Sequence, residues 1–420
     1  MPRTFLFASA PLPGHLDWGG YLQTAAQLTQ AGNNVIWISE EPIRAAVEAV
    51  GVAFRAADSI GWRWPSPLHE SGLEEHARFQ RALDLMLSET PVAHATENLL
   101  AVARDFKSDV IVGEPTIGAA AIAAEKLGLP YVVCGYPALA PDRPAFVEAE
   151  RAVAEEGQAR LRRLFDRFGV QGRNWSSDRS PWPQSPDLHI VYWTREWYAD
   201  APEVMPQTRF VGGQVSPPIG NPPHWFDRIP PDAPPAFITL GSLFTDDPDF
   251  FVLAAHACAD AGLFPIIALG RSERAPDLKQ QLAPRLPRCI VVAWIDYARL
   301  FPRLTVVVHH GGMGTTHAAV VHGLPQVIVP HAADQGLQAR RAEAIGIGLA
   351  LRPKEATLDT LQQAIETIVR DPGFRIRARN LAAAFAAAGG VPEAARQVAS
   401  LIATPRDRSS GRLKPSIRPD

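Results

Sequence analysis

Between Thr305 and Gln335 the chain carries residues suited to holding a phosphate. A strand-like run, Thr305-Val-Val-Val-His309, leads into His310-Gly311-Gly312-Met313-Gly314-Thr315-Thr316, and a helix-like Ala318-Ala-Val-Val321 follows at once. Glycines let a backbone pass close to a bulky anion, and a helix N-terminus offers free N–H groups at the positive end of its dipole. The His310 imidazole and the Thr315 hydroxyl could donate further hydrogen bonds to a diphosphate. The glycines do not follow G-x-G-x-x-G, because Gly312, Gly314 and then Ala318 or Ala319 fall out of step, which argues against a dinucleotide site. Taken alone, the fragment is also compatible with a glycine-rich turn that binds nothing. Near the other end, Pro13-Gly14-His15-Leu16 places a histidine just after the first strand-like run. An imidazole titrates near neutrality and is suited to take a proton from an attacking hydroxyl, a loop-capping histidine being the plainer alternative.

These residues need a framework, and the chain alternates between two periodicities. Thr4-Phe-Leu-Phe-Ala-Ser9 reads as a buried strand, followed by a Pro/Gly-rich loop, a helical pattern ending before Gly32, and a second strand Asn34-Val-Ile-Trp-Ile-Ser39. An irregular stretch from Ala57 to about Glu97, holding Trp62 and Trp64, reads as an insertion over a pocket mouth. The same grammar returns at Asp109-Val-Ile-Val-Gly-Glu114, in a helix from Thr116 to Lys126 closed by Gly128, and at Tyr131-Val-Val-Cys134. Prolines crowd residues 212–235, which no helix or central strand absorbs, so this stretch is predicted to link two domains. Beyond it come Ala236-Phe-Ile-Thr-Leu240, a helix near Asp249 to Ala261, Phe264-Pro-Ile-Ile-Ala-Leu269, Cys289-Ile-Val-Val-Ala293 and Gln326-Val-Ile-Val329. The predicted architecture is α/β: two doubly wound lobes, 1–211 and 236–388, facing across a cleft, with ligands at the carboxyl ends of the strands. A helix within 389–404 is expected to pack back on the first lobe, and 405–420 lacks core-forming periodicity and is predicted to be disordered.

Composition narrows the classes. The 420 residues are too many for one ordinary core, and 46% hydrophobic with 20% charged residues describes a globular chain. A formal net charge of -3 lacks the basic footprint of a nucleic-acid binder. Lys107, Lys126, Lys279, Lys354 and Lys414 are the only lysines, and the Arg-, Ala- and Pro-rich usage fits a GC-rich bacterial coding sequence. Cys134, Cys258 and Cys289 are few, odd in number and widely spaced, which favours small buried hydrophobes over disulfides or metal ligands. No leader pattern and no apolar run of about 18 residues is present, so a cytoplasmic location is expected. Asp246-Asp247 reads as a solvated turn or helix cap, and no carboxylate cluster suggests a metal.

Four fragments, Trp294-Ile295-Asp296, His310-Gly-Gly-Met-Gly-Thr315, Gly323-Leu-Pro-Gln-Val-Ile-Val-Pro330 and Ala333-Asp334-Gln335, occur in the order and spacing of nucleotide-sugar glycosyltransferases of the GT-B fold. The sequence most resembles the bacterial branch that glycosylates antibiotics, macrolides, sterols and carotenoids, related to the UDP-glycosyltransferases. The resemblance covers nearly the whole chain. It implies that Trp294 stacks on the nucleobase while the Ile295 backbone reads its edge. His310 and Thr315, in the loop of Gly311, Gly312 and Gly314, would hold the diphosphate together with Ser242, and Asp334 and Gln335 would bind sugar hydroxyls. His15 falls where the family keeps its base, and Glu114 stands where relatives carry the aspartate that orients it, by the logic of a Ser-His-Asp arrangement.

Two departures accompany the resemblance. Asp17-Trp18 replaces the usual Asn-Pro after the base, and Trp18, Trp62 and Trp64 become candidates for an apolar acceptor site. Trp37, Trp193 and Trp197 read instead as core or interlobe packing. Ala318 stands where many UDP-glucose users carry a ribose-binding glutamate, which opens the choice between UDP and dTDP donors. The implied reaction is an inverting transfer of a hexose or deoxyhexose to a hydroxyl of a hydrophobic small molecule, without metal or cofactor, the nucleotide sugar serving as co-substrate. The expected partners are therefore that donor and the acceptor, with no nucleic acid and no membrane span, in a monomer or homodimer. A sugar-nucleotide epimerase and a noncatalytic helper on the same fold are the alternatives.

Overall fold

A computed structural model of the chain describes residues 2–17, 19–62, 75–140, 148–177, 180–201, 203–218, 220–241, 247–270, 275–331 and 335–401. It divides into two units, Met1–Tyr192 with Ala201–Val211 and Gly389–Asp420, and Trp193–Asp200 with Gly212–Ala388.

Among its described residues the first unit carries seven strands: β1 (Thr4–Ala8), β2 (Asn34–Ser39), β3 (Ala53–Ala56), β4 (Val110–Gly113), β5 (Tyr131–Cys134), β6 (Leu188–Val191) and β7 (Thr208–Phe210). They form one sheet in the order β3-β2-β1-β4-β5-β6-β7. Every pair is parallel, Phe5 lying opposite both Val35 and Val110. Helices cover both faces, which is why β1, β4 and β5 are buried along their whole lengths and read as continuous apolar runs. Phe5, Phe7, Trp37, Val110 and Val132 pack one face, and Leu6, Ile36, Ile111 and Val133 the other. The terminal helix Gly390–Ser400 contributes Ala394, Ala395 and Val398 to the first of these cores.

The second unit holds β8 (Pro235–Thr239), β9 (Phe264–Ala268), β10 (Ile290–Val292), β11 (Val306–His309), β12 (Gln326–Ile328) and β13 (Gly348–Ala350). Their order is β10-β9-β8-β11-β12-β13, again parallel throughout. Two stretches depart from the sequence expectation. Residues 212–235 are more than a strap: Phe226, in the short turn His224–Arg228, is buried with Phe237, Ile266 and Phe301. The excursion Trp193–Asp200 belongs to this unit because its side chains are anchored there. Trp193 stacks on Trp197 at 4.4 Å, the Trp197 indole donates to Gln338 Oε1 at 3.1 Å, and Arg341 pairs with Asp200 at 2.8 Å. Trp37, Trp193 and Trp197 are all buried. Cys134 and Cys258 are buried free thiols, whereas Cys289 is only half-buried. Among the described residues no helix is long and apolar enough to cross a membrane.

Candidate active site

In each sheet the strand order reverses direction once, between β1 and β4 in the first and between β8 and β11 in the second. Loops leaving neighbouring strands at such a point diverge to opposite faces and open a crevice at the carboxyl ends. His15 and Glu114 lie on these loops in the first unit, and His310 with its neighbouring glycines in the second, whereas Trp294 and Ile295 follow β10 and Gln335 follows β12.

In the first unit, His15 follows β1 in the short helix Pro13–Asp17, and Glu114 follows β4 directly. Separated by 99 positions, they meet because β1 and β4 are adjacent: His15 Nδ1 lies 2.7 Å from Glu114 Oε2. The other carboxylate oxygen accepts from the Ala10 N–H at 2.7 Å. Glu114 is completely buried, so these directed bonds replace its hydration, while the His15 side chain keeps 21% exposure and stays within reach of a ligand. A carboxylate only accepts, so it calls for the proton on Nδ1 and leaves the lone pair of a neutral ring on Nε2. That is the tautomer of a general base.

Trp62 departs from the expectation of an acceptor-site wall. Only 8% of it is exposed, it packs in the core with Leu12 and Ile117, and its Nε1 donates to Thr116 Oγ1 at 3.1 Å. Its ring stands nearly perpendicular to that of His15, with centroids 5.1 Å apart. Trp18 and Trp64 lie outside the described residues.

In the second unit, β11 ends at His309, and the helix Met313–Val321 starts after Gly312. Gly311 needs its φ of 86°, and a Cβ there would come within 3.0 Å of the Gln335 carbonyl oxygen, so this glycine permits the close approach of two chain segments. A Cβ on Gly241 or on Gly312 would strike the His310 ring, at 2.7 and 2.3 Å from its Nε2. Glycine on both sides is therefore what seats that imidazole. A Cβ at Gly314 would meet nothing within 4 Å, so the protein's own packing does not require glycine there.

The doubled histidines differ in role. His309 is buried, accepts the Gly311 N–H on Nδ1 at 3.1 Å, and faces Gln326 Oε1 with Nε2 at 2.9 Å. Burial pulls its pKa down to about 4, so it is a neutral brace for the loop. His310 is held well below the usual histidine value, first by burial, then by His309 and His331, against a hydrogen bond with the Thr239 backbone. It can therefore meet a phosphate as a neutral hydrogen-bonding ring.

Thr315 lies in the first turn of the helix, its hydroxyl 2.9 Å from the Tyr297 hydroxyl. Tyr297 opens the turn after Trp294-Ile295-Asp296, so this bond ties the two motifs together. Ile295 is buried in the core, while Trp294 is 41% exposed, an unusual position for so large an apolar surface and one suited to stacking. Gln335 is buried and its amide oxygen accepts from the His331 N–H at 2.8 Å, which commits that atom to the protein. Ala318 is 1% exposed, in the cluster with Phe237 and Phe301. Ser242 and Asp334 lie outside the described residues.

Sequence reasoning missed one pair here. Asp247 caps the helix Pro248–Asp260 through the Phe250 N–H at 3.0 Å, and its second oxygen lies 3.3 Å from His331 Nε2. His331, chiefly through that hydrogen bond, holds the Asp247 carboxyl below the usual carboxylate range. The cap was legible from Asp247-Pro248; the partner, 84 residues away, was not. Among the described residues no group of three or more His, Cys, Asp or Glu is placed to hold a metal ion.

Two parallel α/β sheets, a buried carboxylate behind a histidine on one switch point, and a glycine loop at a helix N-terminus on the other are the arrangement expected of a glycosyltransferase of the GT-B fold. Comparison with known proteins agrees. Residues 267–401 match the family described as erythromycin biosynthesis protein CIII-like, C-terminal domain. The chain is 23% identical to the 4'-demethylrebeccamycin synthase of Lentzea aerocolonigenes, over 96% of this chain and 100% of that one. The fold is that of the solved glycotransferase of kitacinnamycin, with a TM-score of 0.78 and 22% identity over 96% of this chain and 100% of that one. It is also that of the glycosyltransferase VinC in complex with dTDP, with a TM-score of 0.70 and 20% identity over 96% and 100%. Over residues 267–401 the chain thus carries a domain of that erythromycin-biosynthesis type, and it is a glycosyltransferase of the antibiotic and natural-product type.

Proposed function

We propose that this enzyme transfers a hexose or deoxyhexose from a UDP- or dTDP-sugar to a hydroxyl of a hydrophobic small molecule, inverting the anomeric centre and using no metal. The observation that carries this reading is the 2.7 Å contact between His15 Nδ1 and the buried Glu114 carboxylate. His15 Nε2 takes the proton as the acceptor O–H bond breaks. The acceptor oxygen bonds to the anomeric carbon, while the bond from that carbon to the diphosphate oxygen breaks and its electron pair leaves with the phosphate. A single displacement of this kind inverts configuration, and Glu114 stabilises the imidazolium that results.

The leaving diphosphate is met by the N-terminus of the Met313–Val321 helix, by His310 and by the Thr315 hydroxyl, so its charge is offset by dipoles and hydrogen bonds. Trp294 offers the stacking surface for the base. Ala318 supports a donor that needs no ribose-binding carboxylate, and the dTDP bound by VinC makes dTDP-sugars the first to try. The test incubates the protein with UDP- and dTDP-sugars and a panel of hydrophobic alcohols, with and without EDTA, and follows nucleoside diphosphate release and the anomeric configuration of the product. Acceptor-dependent release that survives EDTA is expected. Absence of acceptor-dependent release, or a retained configuration, overturns the proposal.

A further inference from the structure

Resting on the transferase reading, we infer that Trp62 and Thr116 are positioning residues for the His15 base, forming a second support beside Glu114. The His15 ring has two dihedral freedoms to lose before its Nε2 can point at a hydroxyl. Glu114 restrains one edge of it through Nδ1, and Glu114 is itself fixed by the Ala10 N–H. A single hydrogen bond at one ring nitrogen still allows the ring to swing about that contact. The perpendicular Trp62 ring, at 5.1 Å between centroids, blocks the swing.

Trp62 in turn cannot rotate freely, because its indole N–H is bonded to Thr116 Oγ1 at 3.1 Å and 92% of its surface is covered, the residue being 8% exposed. Thr116 lies two residues beyond Glu114, on the same segment after β4. One stretch of chain therefore carries both the carboxylate that orients the ring and the hydroxyl that locks the residue packed against it. The buried indole packs against the His15 ring and Glu114 is itself completely buried, and a charge-assisted hydrogen bond is stronger where water is excluded. This placement separates Trp62 from an acceptor wall: it is buried and packs against the ring of the base.

Thr116→Val keeps the side-chain shape and removes the oxygen, Thr116→Ser keeps the oxygen, and Trp62→Phe keeps a ring without the N–H. For Thr116→Val and Trp62→Phe, kcat should fall about 10-fold or more, since a misplacement of about 1 Å at a reacting group costs roughly 100-fold. The KM values for donor and acceptor should stay within about twofold, and Thr116→Ser should restore most of kcat. In histidine-labelled protein, the low-field proton resonance of the His15 Nδ1–H bonded to Glu114 should sharpen and persist in the wild type and in Thr116→Ser, and broaden in the other two. A change confined to acceptor KM would make Trp62 an acceptor wall and overturn the inference. Unchanged kcat, or an unchanged resonance, overturns it as well. If the wild type turns over no donor, the transferase reading fails, while the resonance still decides whether Trp62 and Thr116 hold the ring.

Discussion

Replacing Glu114 by glutamine exchanges one carboxylate oxygen for an NH2 group at constant shape. The structure dictates which oxygen is lost. Ala10 N–H points at Oε1 from 2.7 Å, so the amide must keep its oxygen there; the reverse orientation would set two donors against each other in a fully buried place. The NH2 group then faces His15 Nδ1, which must accept, and the ring proton moves to Nε2. A ring protonated on Nε2 cannot take the acceptor proton. The variant therefore loses the general base without losing the histidine, and a contribution of about 100- to 10,000-fold is at stake, or about 3 to 5 kcal/mol at 1.36 kcal/mol per tenfold. The assay is the initial rate of nucleoside diphosphate release at saturating donor and acceptor, with calorimetric nucleotide affinity as the control. We expect kcat to fall by that factor with affinity within about twofold. Glu114→Asp should fall between the two, keeping the charge at a shorter reach. A glutamine variant that retains a third of wild-type kcat would refute the reasoning, because the tautomer would then not matter.

On the donor side, Trp294→Ala should weaken UDP or dTDP binding by about 5- to 150-fold, the equivalent of 1–3 kcal/mol of base stacking, and titration calorimetry checks it. Asp247→Asn separates two roles of one residue, since asparagine also caps a helix well but carries no charge for His331. The melting temperature should change by no more than a few degrees while nucleotide affinity drops several-fold; a large loss of stability with unchanged affinity would assign Asp247 to capping alone. Acid should destabilise the fold through His189 and His309, whose pKa values burial pulls down to about 4. Between that value and about 6.5 the unfolded chain binds protons that the folded chain does not. Stability is thus full above about pH 6.5 and declines as the pH falls through the window, by about 2 kcal/mol per histidine between pH 7 and pH 5, measurable by urea denaturation at the two pH values.

Much of the fold was legible because parallel strands buried on both faces leave continuous apolar runs, as in Thr4–Ala8, Val110–Gly113 and Val306–His309. Edge strands of three or four residues, such as Thr208–Phe210 and Ala53–Ala56, with at most one buried position, left no comparable mark. The glycine loop was legible for a local reason: close approach and positive φ are properties of single residues and of the helix start that follows them. The excursion Trp193–Asp200 was not, because its assignment depends on Gln338 and Arg341, more than 130 residues further along.

By itself, then, the sequence determined which residue types stand at strand ends: His15, Glu114, the His310–Thr315 loop and Trp294. Only the tertiary structure decided their partners. It set His15 on Glu114, turned Trp62 from a candidate pocket wall into a buried neighbour of the base, made His309 a brace and His310 a neutral ring, and brought Asp247 to His331. The reason is physical. Local conformation follows from side chains a few residues apart, whereas the partner, protonation state and exposure of a polar group follow from whatever the sheet order places beside it.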